Sequence, residues 1–179
     1  MYKTGDMVVY GGVGVCCVES VGKPEHPLPG ADPERLYYTL RPLNESGVVY
    51  TPVDARVFMR PVMSRQQAAE LIDSLPQVTA LDGIAGDYRQ LAGQYRAALQ
   101  THQIGTLLRL LKTLHQRQEH CLAQGKLPGK VDRQFQQTAE KFLYEELSCA
   151  LDIPTDAVHD YIQQRLDKAA AEAAAGANA

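Results

Sequence analysis

The sequence predicts an α+β protein, a small β-domain followed by an all-α helical bundle, on three observations. Residues 1–63 hold short runs of Val, Tyr and Leu separated by Gly- and Pro-rich breaks, the pattern of strands and turns. Residues 64–168 carry apolar side chains at helical spacing. Between them Ser64-Arg65-Gln66-Gln67 fits the Ser-x-x-Gln box that opens a helix.

In the β-domain, Met7–Tyr10 reads as a first strand. Gly11-Gly12-Val13-Gly14 breaks it at a turn, because glycine tolerates the positive φ that a tight turn needs. Val15–Val21 resumes an extended pattern. Four prolines between Lys23 and Pro33 fix φ and remove donors, so this stretch must be a loop. Arg35–Leu43 reads as a strand, Asn44–Gly47 as a turn and Val48–Thr51 as the returning strand, closed by Pro52. Val57–Met59 is a last short strand. Five short strands in so few residues predict a strongly bent sheet or barrel.

In the bundle, the first helix runs from the Ser64 cap to Pro76, with Ala68, Leu71, Ile72 and Leu75 on one face. The second covers Ile84–Gln100, the third Ile104 to about Gln124 with Gly125 beyond its end, and the fourth about Val131–Leu151. Thr155 is the expected cap of a fifth, carrying Val158, Ile162 and Leu166. Residues 169–179 are an Ala-rich tail with no anchoring side chain and are expected to be disordered.

Composition removes several function classes. The formal net charge of −3 excludes a generally polybasic nucleic-acid binder, so any DNA contact must come from a local patch. No apolar run reaches the roughly 18 residues of a membrane span, and Met1–Asp6 lacks the apolar core of a signal peptide; a cytoplasmic location is the expectation. Cys16, Cys17, Cys121 and Cys149 form no Cys-x-x-Cys pair, and no metal or cofactor is expected. His115 and His120 are five apart and share no helix face, and no Gly-x-Ser-x-Gly occurs. Gly11–Gly14 lacks the lysine of a phosphate-binding loop and no helix follows it. No catalytic constellation and no small-molecule substrate site is visible.

Charge is segregated. Between Tyr88 and Arg133 stand eight Lys or Arg residues against two acids, whereas Glu140–Asp167 is acidic. Arg89, Arg96, Arg109, Lys112 and Arg117 can therefore form a basic surface that neutralises phosphates and releases counterions. A solvated helix face is the plainer reading of the same pattern. Tyr88, beside Arg89, can stack on a base or serve as a cap or core residue. Tyr37, Tyr38 and Tyr50 lie on strands.

Several strings then carry a resemblance. Tyr2-Lys3-Thr4-Gly5-Asp6-Met7-Val8-Val9-Tyr10 with Gly14-Val15 resembles the opening of the CarD/CdnL family of bacterial transcription regulators, a module that also begins the polymerase-interacting part of transcription-repair coupling factors. Tyr50-Thr51-Pro52-Val53-Asp54 and Arg60-Pro61-Val62-Met63-Ser64 resemble the family's strand end and its entry to the helices. Tyr95–Leu99, Leu111–Leu114 with Arg117, and Leu143–Leu147 are similar to its later helices.

The resemblance implies a Tudor-like, SH3-like barrel over residues 1–63 that binds the β subunit of RNA polymerase through a strand edge. The expected contacts are Val49, Tyr50 and Thr51, with Arg41 beside them. It also implies a helical domain over 64–168 touching promoter DNA at the upstream edge of the −10 element through Tyr88, Arg89, Arg96, Arg109, Lys112 and Arg117, so modulating open-complex stability. The family's wedging Trp is absent, and Tyr88 is the aromatic in that region. The alternative is an interaction module without DNA contact.

Overall fold

The computed structural model describes residues 1–24, 30 and 32–177, and the chain divides into two units, Met1–Val62 and Met63–Ala179. Most of the expected Pro-rich loop, residues 25–29 and 31, lies outside the described residues.

The first unit is one antiparallel sheet of β1 (Met7–Tyr10), β2 (Gly14–Gly22), β3 (Tyr37–Pro42), β4 (Val49–Pro52) and β5 (Met59–Pro61). Their order is β4-β3-β2-β1-β5, so β4 and β5 are its borders and no pairing joins them. Gly5 (φ 91°) makes the turn before β1, where the Asp6 carboxylate accepts the Lys3 amide at 2.7 Å. That turn is the physical content of the Lys-x-Gly-Asp string. The β1–β2 turn uses Gly11 and Gly14 at positive φ, as the sequence predicts.

Alternation sends Val8, Cys16, Val18, Tyr38 and Leu40 into the core of this unit. A bulge at Glu19 shifts the β2–β3 register between Val18 and Ser20. The extra residue switches parity, so Val21 joins Tyr38 inside while the Ser20 hydroxyl bonds Thr39 on the outer face at 2.9 Å. The last strand starts at Met59 rather than Val57, because Met59 is the residue that pairs with Tyr10.

The second unit contains α1 (Arg65–Ser74), α2 (Tyr88–Gln100), α3 (Ile104–Ala123), α4 (Lys130–Leu151) and α5 (Val158–Ala177). Ser64 caps α1 with the expected box, Ser64 accepting from the Gln67 amide and Gln67 from the Ser64 amide. Leu75–Gln77 continue α1 as a 3-10 turn containing Pro76.

Three element ends differ from expectation. The second helix starts at Tyr88, four residues late, because Gly83 and Gly86 adopt positive φ and Asp87 caps with Gln90 as its box partner. Thr155 is not a cap; it opens a 3-10 turn, and its hydroxyl donates to Ser148 at 3.2 Å. The Ala-rich segment beyond 168 continues α5 through Ala177, consistent with alanine's high helix propensity.

The C-terminus of α3 is a Schellman turn. Gly125 (φ 69°) donates to Leu122 O at 2.9 Å and Lys126 to Cys121 O at 2.9 Å.

Two apolar clusters hold the bundle, with α3 and α4 as a shared spine. Ala68 and Ile72 of α1 and Val158 of α5 meet Leu108, Leu143, Leu147 and Leu151 in one. Leu91 and Tyr95 of α2 meet Leu110, Leu114, Val131 and Ala139 in the other.

Candidate protein and nucleic-acid interfaces

The candidate protein surface is the β4 border. Along β4 the side chains alternate: Tyr50 is 44% exposed, whereas Thr51 is 2% exposed. Thr51 is therefore withdrawn from the surface, because it faces inward between Tyr50 and Pro52. The accessible border consists of Tyr50, half-buried Val49, and Val48, which is 37% exposed. Tyr50 stands in register with Thr39 of β3, and Thr39 with Ser20 of β2, giving a polar outer row that ends in one aromatic ring.

Arg41 lies exposed on the same sheet and is held by Glu19, the bulged residue. The β4 end is anchored where Val53 N–H donates to Leu36 O at 3.0 Å and Arg35 binds Asp54 at 2.8 Å. Arg35 holds the Asp54 carboxyl below the usual carboxylate range through that hydrogen bond.

The candidate nucleic-acid residues separate into two kinds. Arg89 and Arg96 are exposed on α2, seven residues apart and so on one face. Tyr88, at the first helical position, is 60% exposed and is neither cap nor core. Arg109, by contrast, is structural: it donates to Ala80 O and to Asp82, each at 3.0 Å, fastening the segment before α2 onto α3. Buried Thr113 completes that fastening by accepting the Leu81 amide at 2.8 Å.

Arg117 is structural too. Its Nε donates to Asp132 at 3.2 Å, and the Tyr95 hydroxyl donates to the other carboxylate oxygen at 2.8 Å. Asp132 is 5% exposed and Tyr95 0%, so this group ties α2, α3 and α4 together inside the bundle. Burial first, and then the hydrogen bond to Asp132, push the Tyr95 phenol well above the usual tyrosine range.

Lys112 lies about 140° around α3 from Arg117 and lines a groove between α3, α4 and α5 instead. The structure thus does not gather all five expected cations on one face.

Sequence reasoning missed how the remaining cations sit. Lys126, Lys130 and Arg133 are exposed and, among the described residues, have no carboxylate partner. Helices α2 and α4 are both joined to α3 by short connections. Tyr95 meets Asp132 and Phe135 in the first two turns of α4, and Tyr88 and Arg89 lie about two turns earlier on α2. The signal was there in the Asp87-x-x-Gln90 cap, which places Tyr88 at a helix start.

Among the described residues no group of His, Cys, Asp and Glu is placed to hold a metal, the four cysteines form no disulfide, and no helix is long and apolar enough to cross a membrane.

Comparison with protein families gives a match over residues 2–63 to the CarD-like/TRCF RID domain. The N-terminal unit is a CarD-like domain. The match ends where the first structural unit ends, at the helix-entry string Arg60–Ser64. No curated protein matches the chain. A CarD-like RID domain is a protein-interaction module, and the match suggests a transcription-related role.

Proposed function

We propose that the CarD-like domain binds the β subunit of RNA polymerase by adding a polymerase strand to β4, while the helical domain contacts promoter DNA at the upstream edge of the −10 element and alters open-complex stability. The observation that carries the reading is the β4 border, which ends the sheet and exposes Val48 and Tyr50. Unpaired edge amides and carbonyls supply affinity in such a contact, and the alternating side chains supply specificity.

Docking raises the effective concentration of the linked helical domain at the promoter, so weak intrinsic DNA affinity suffices in a chain of net charge −3. Arg89 and Arg96 are the cations best presented to phosphate, with Lys126, Lys130 and Arg133 extending the same charge. Tyr88 offers an exposed flat ring beside them. On this reading the protein acts on transcription in the bacterial cytoplasm, without catalysis.

A second reading, an interaction module without DNA contact, is favoured by the engagement of Arg109 with Asp82 and of Arg117 with Asp132. The lifetime of polymerase open complexes, measured with and without the protein, separates the two. The first reading predicts a changed lifetime that Arg89→Glu with Arg96→Glu restores toward the protein-free value. An unchanged lifetime alongside intact polymerase binding selects the second.

A further inference from the structure

The groove between α3, α4 and α5 encloses about 340 Å³ and lies wholly within the helical unit. Its floor is apolar: Leu108 and Leu111 from α3, Leu143 from α4, Ile162 and Leu166 from α5. The volume falls in the range of small-molecule sites, which combine an apolar lining with a few placed polar groups.

The polar rim is almost fully committed. Gln136 donates to Glu140 at 2.8 Å, and Gln163 donates to Asp167 at 2.9 Å. The Tyr144 hydroxyl meets His159 Nδ1 at 3.3 Å, and His115 meets Glu119 at 3.3 Å. Lys112 alone of these rim side chains has no hydrogen-bond or ion-pair partner among the described residues, and it is half-buried beside Leu111. A lysine stem lying along apolar surface with its ammonium unmatched favours an anion whose body is apolar. Glu140, the acid in the lining, already accepts from Gln136 and disfavours a ligand carrying a second negative charge deeper in the groove.

We propose that this groove binds an amphipathic monocarboxylate, a medium-length acyl anion whose chain lies on the leucine floor and whose carboxylate pairs with Lys112. The site is independent of polymerase docking and uses no residue of the β4 border. A ligand there engages Lys112 and leaves Arg89 and Arg96 on α2 untouched.

The test is calorimetric titration of the full chain with decanoate at neutral pH, with decanol as the uncharged probe. The expected result is saturable one-to-one binding of decanoate that Lys112→Met weakens about tenfold, with decanol bound equally by both proteins. His115→Trp, at an exposed rim position, should close the mouth and abolish binding of both probes while leaving the circular dichroism spectrum unchanged. Absence of saturable decanoate binding to the unaltered protein overturns the proposal. So does decanoate binding that Lys112→Met leaves unchanged, or binding that survives His115→Trp.

Discussion

Replacing Asp132 by alanine should be among the most damaging single changes in the helical unit, because one carboxylate joins three helices. The Tyr95 hydroxyl is fully buried and would lose its 2.8 Å acceptor, and a buried donor left unmatched costs about 1–3 kcal/mol. The Arg117 side chain is 35% exposed, so water can replace its lost partner and the added cost is about 1 kcal/mol or less. The sum, about 1–4 kcal/mol, is a large share of the roughly 5–15 kcal/mol that holds a domain together.

Tyr95→Phe keeps the ring against Phe135, whose centroid lies 5.4 Å away, and removes only the hydroxyl; about 1–2 kcal/mol is expected. Urea unfolding followed by far-ultraviolet circular dichroism measures both, and the double variant should cost less than the two single losses added. The same pair gives a pH signature. The Tyr95 pKa is raised in the folded state, so its contribution is whole below about pH 10, the ordinary tyrosine value, and is lost as pH rises through the raised native value. Stability above about pH 10 should therefore fall less steeply in Tyr95→Phe. An Asp132→Ala protein within about 0.5 kcal/mol of the original would refute the reasoning, since changes of that size are ordinary at unengaged surface sites.

Other outcomes follow from the same geometry. Arg89→Glu with Arg96→Glu should leave thermal stability and polymerase binding unaltered and lower the salt dependence of promoter-complex formation by about two phosphate contacts' worth of slope, read from affinity against salt concentration. Thr113→Val should cost about 1–2 kcal/mol and accelerate amide hydrogen exchange at Leu81, whose N–H it leaves without its 2.8 Å acceptor. Arg165 makes two 2.7 Å bonds to Asp73 and holds that carboxyl below its usual range, an α1–α5 contribution present above the ordinary carboxylate pKa and lost as pH falls through the lowered one. Arg165→Gln should return the Asp73 titration, followed by carboxyl-carbon NMR, to the ordinary range.

How far the sequence could be read depended on whether the signal was local. The Ser64 cap, the Gly125 terminus and the Met7–Tyr10 strand are decided by neighbours in the chain, and all three appear in the structure. The start of α2 was missed because apolar Ile84 fits the helical spacing, yet its side chain packs on the bundle from a turn in which Gly83 and Gly86 prevent helix. Thr155 looked like a cap, but its hydroxyl is turned to Ser148, a partner seven residues back.

The candidate surfaces divide in the same way. Tyr50 was legible as a border residue, but period-two alternation places Thr51 on the opposite face, where it is almost fully covered. The engagement of Arg109 and Arg117 was not legible, because their acids, Asp82 and Asp132, are 27 and 15 residues away. Charge counted along a chain does not show which cations the fold has already paired.

The most direct measurement is the affinity of the intact protein for a polymerase β-subunit fragment, compared between the unaltered chain and Tyr50→Lys. Tyr50 is exposed and touches no core cluster, and a lysine there blunts a strand border without unfolding it. An aromatic anchor at an interface centre is worth about 2 kcal/mol or more, so binding by the unaltered protein and a loss of about 30-fold or greater in the variant are predicted. Failure of the unaltered protein to bind, or equal binding by the two, would contradict the account.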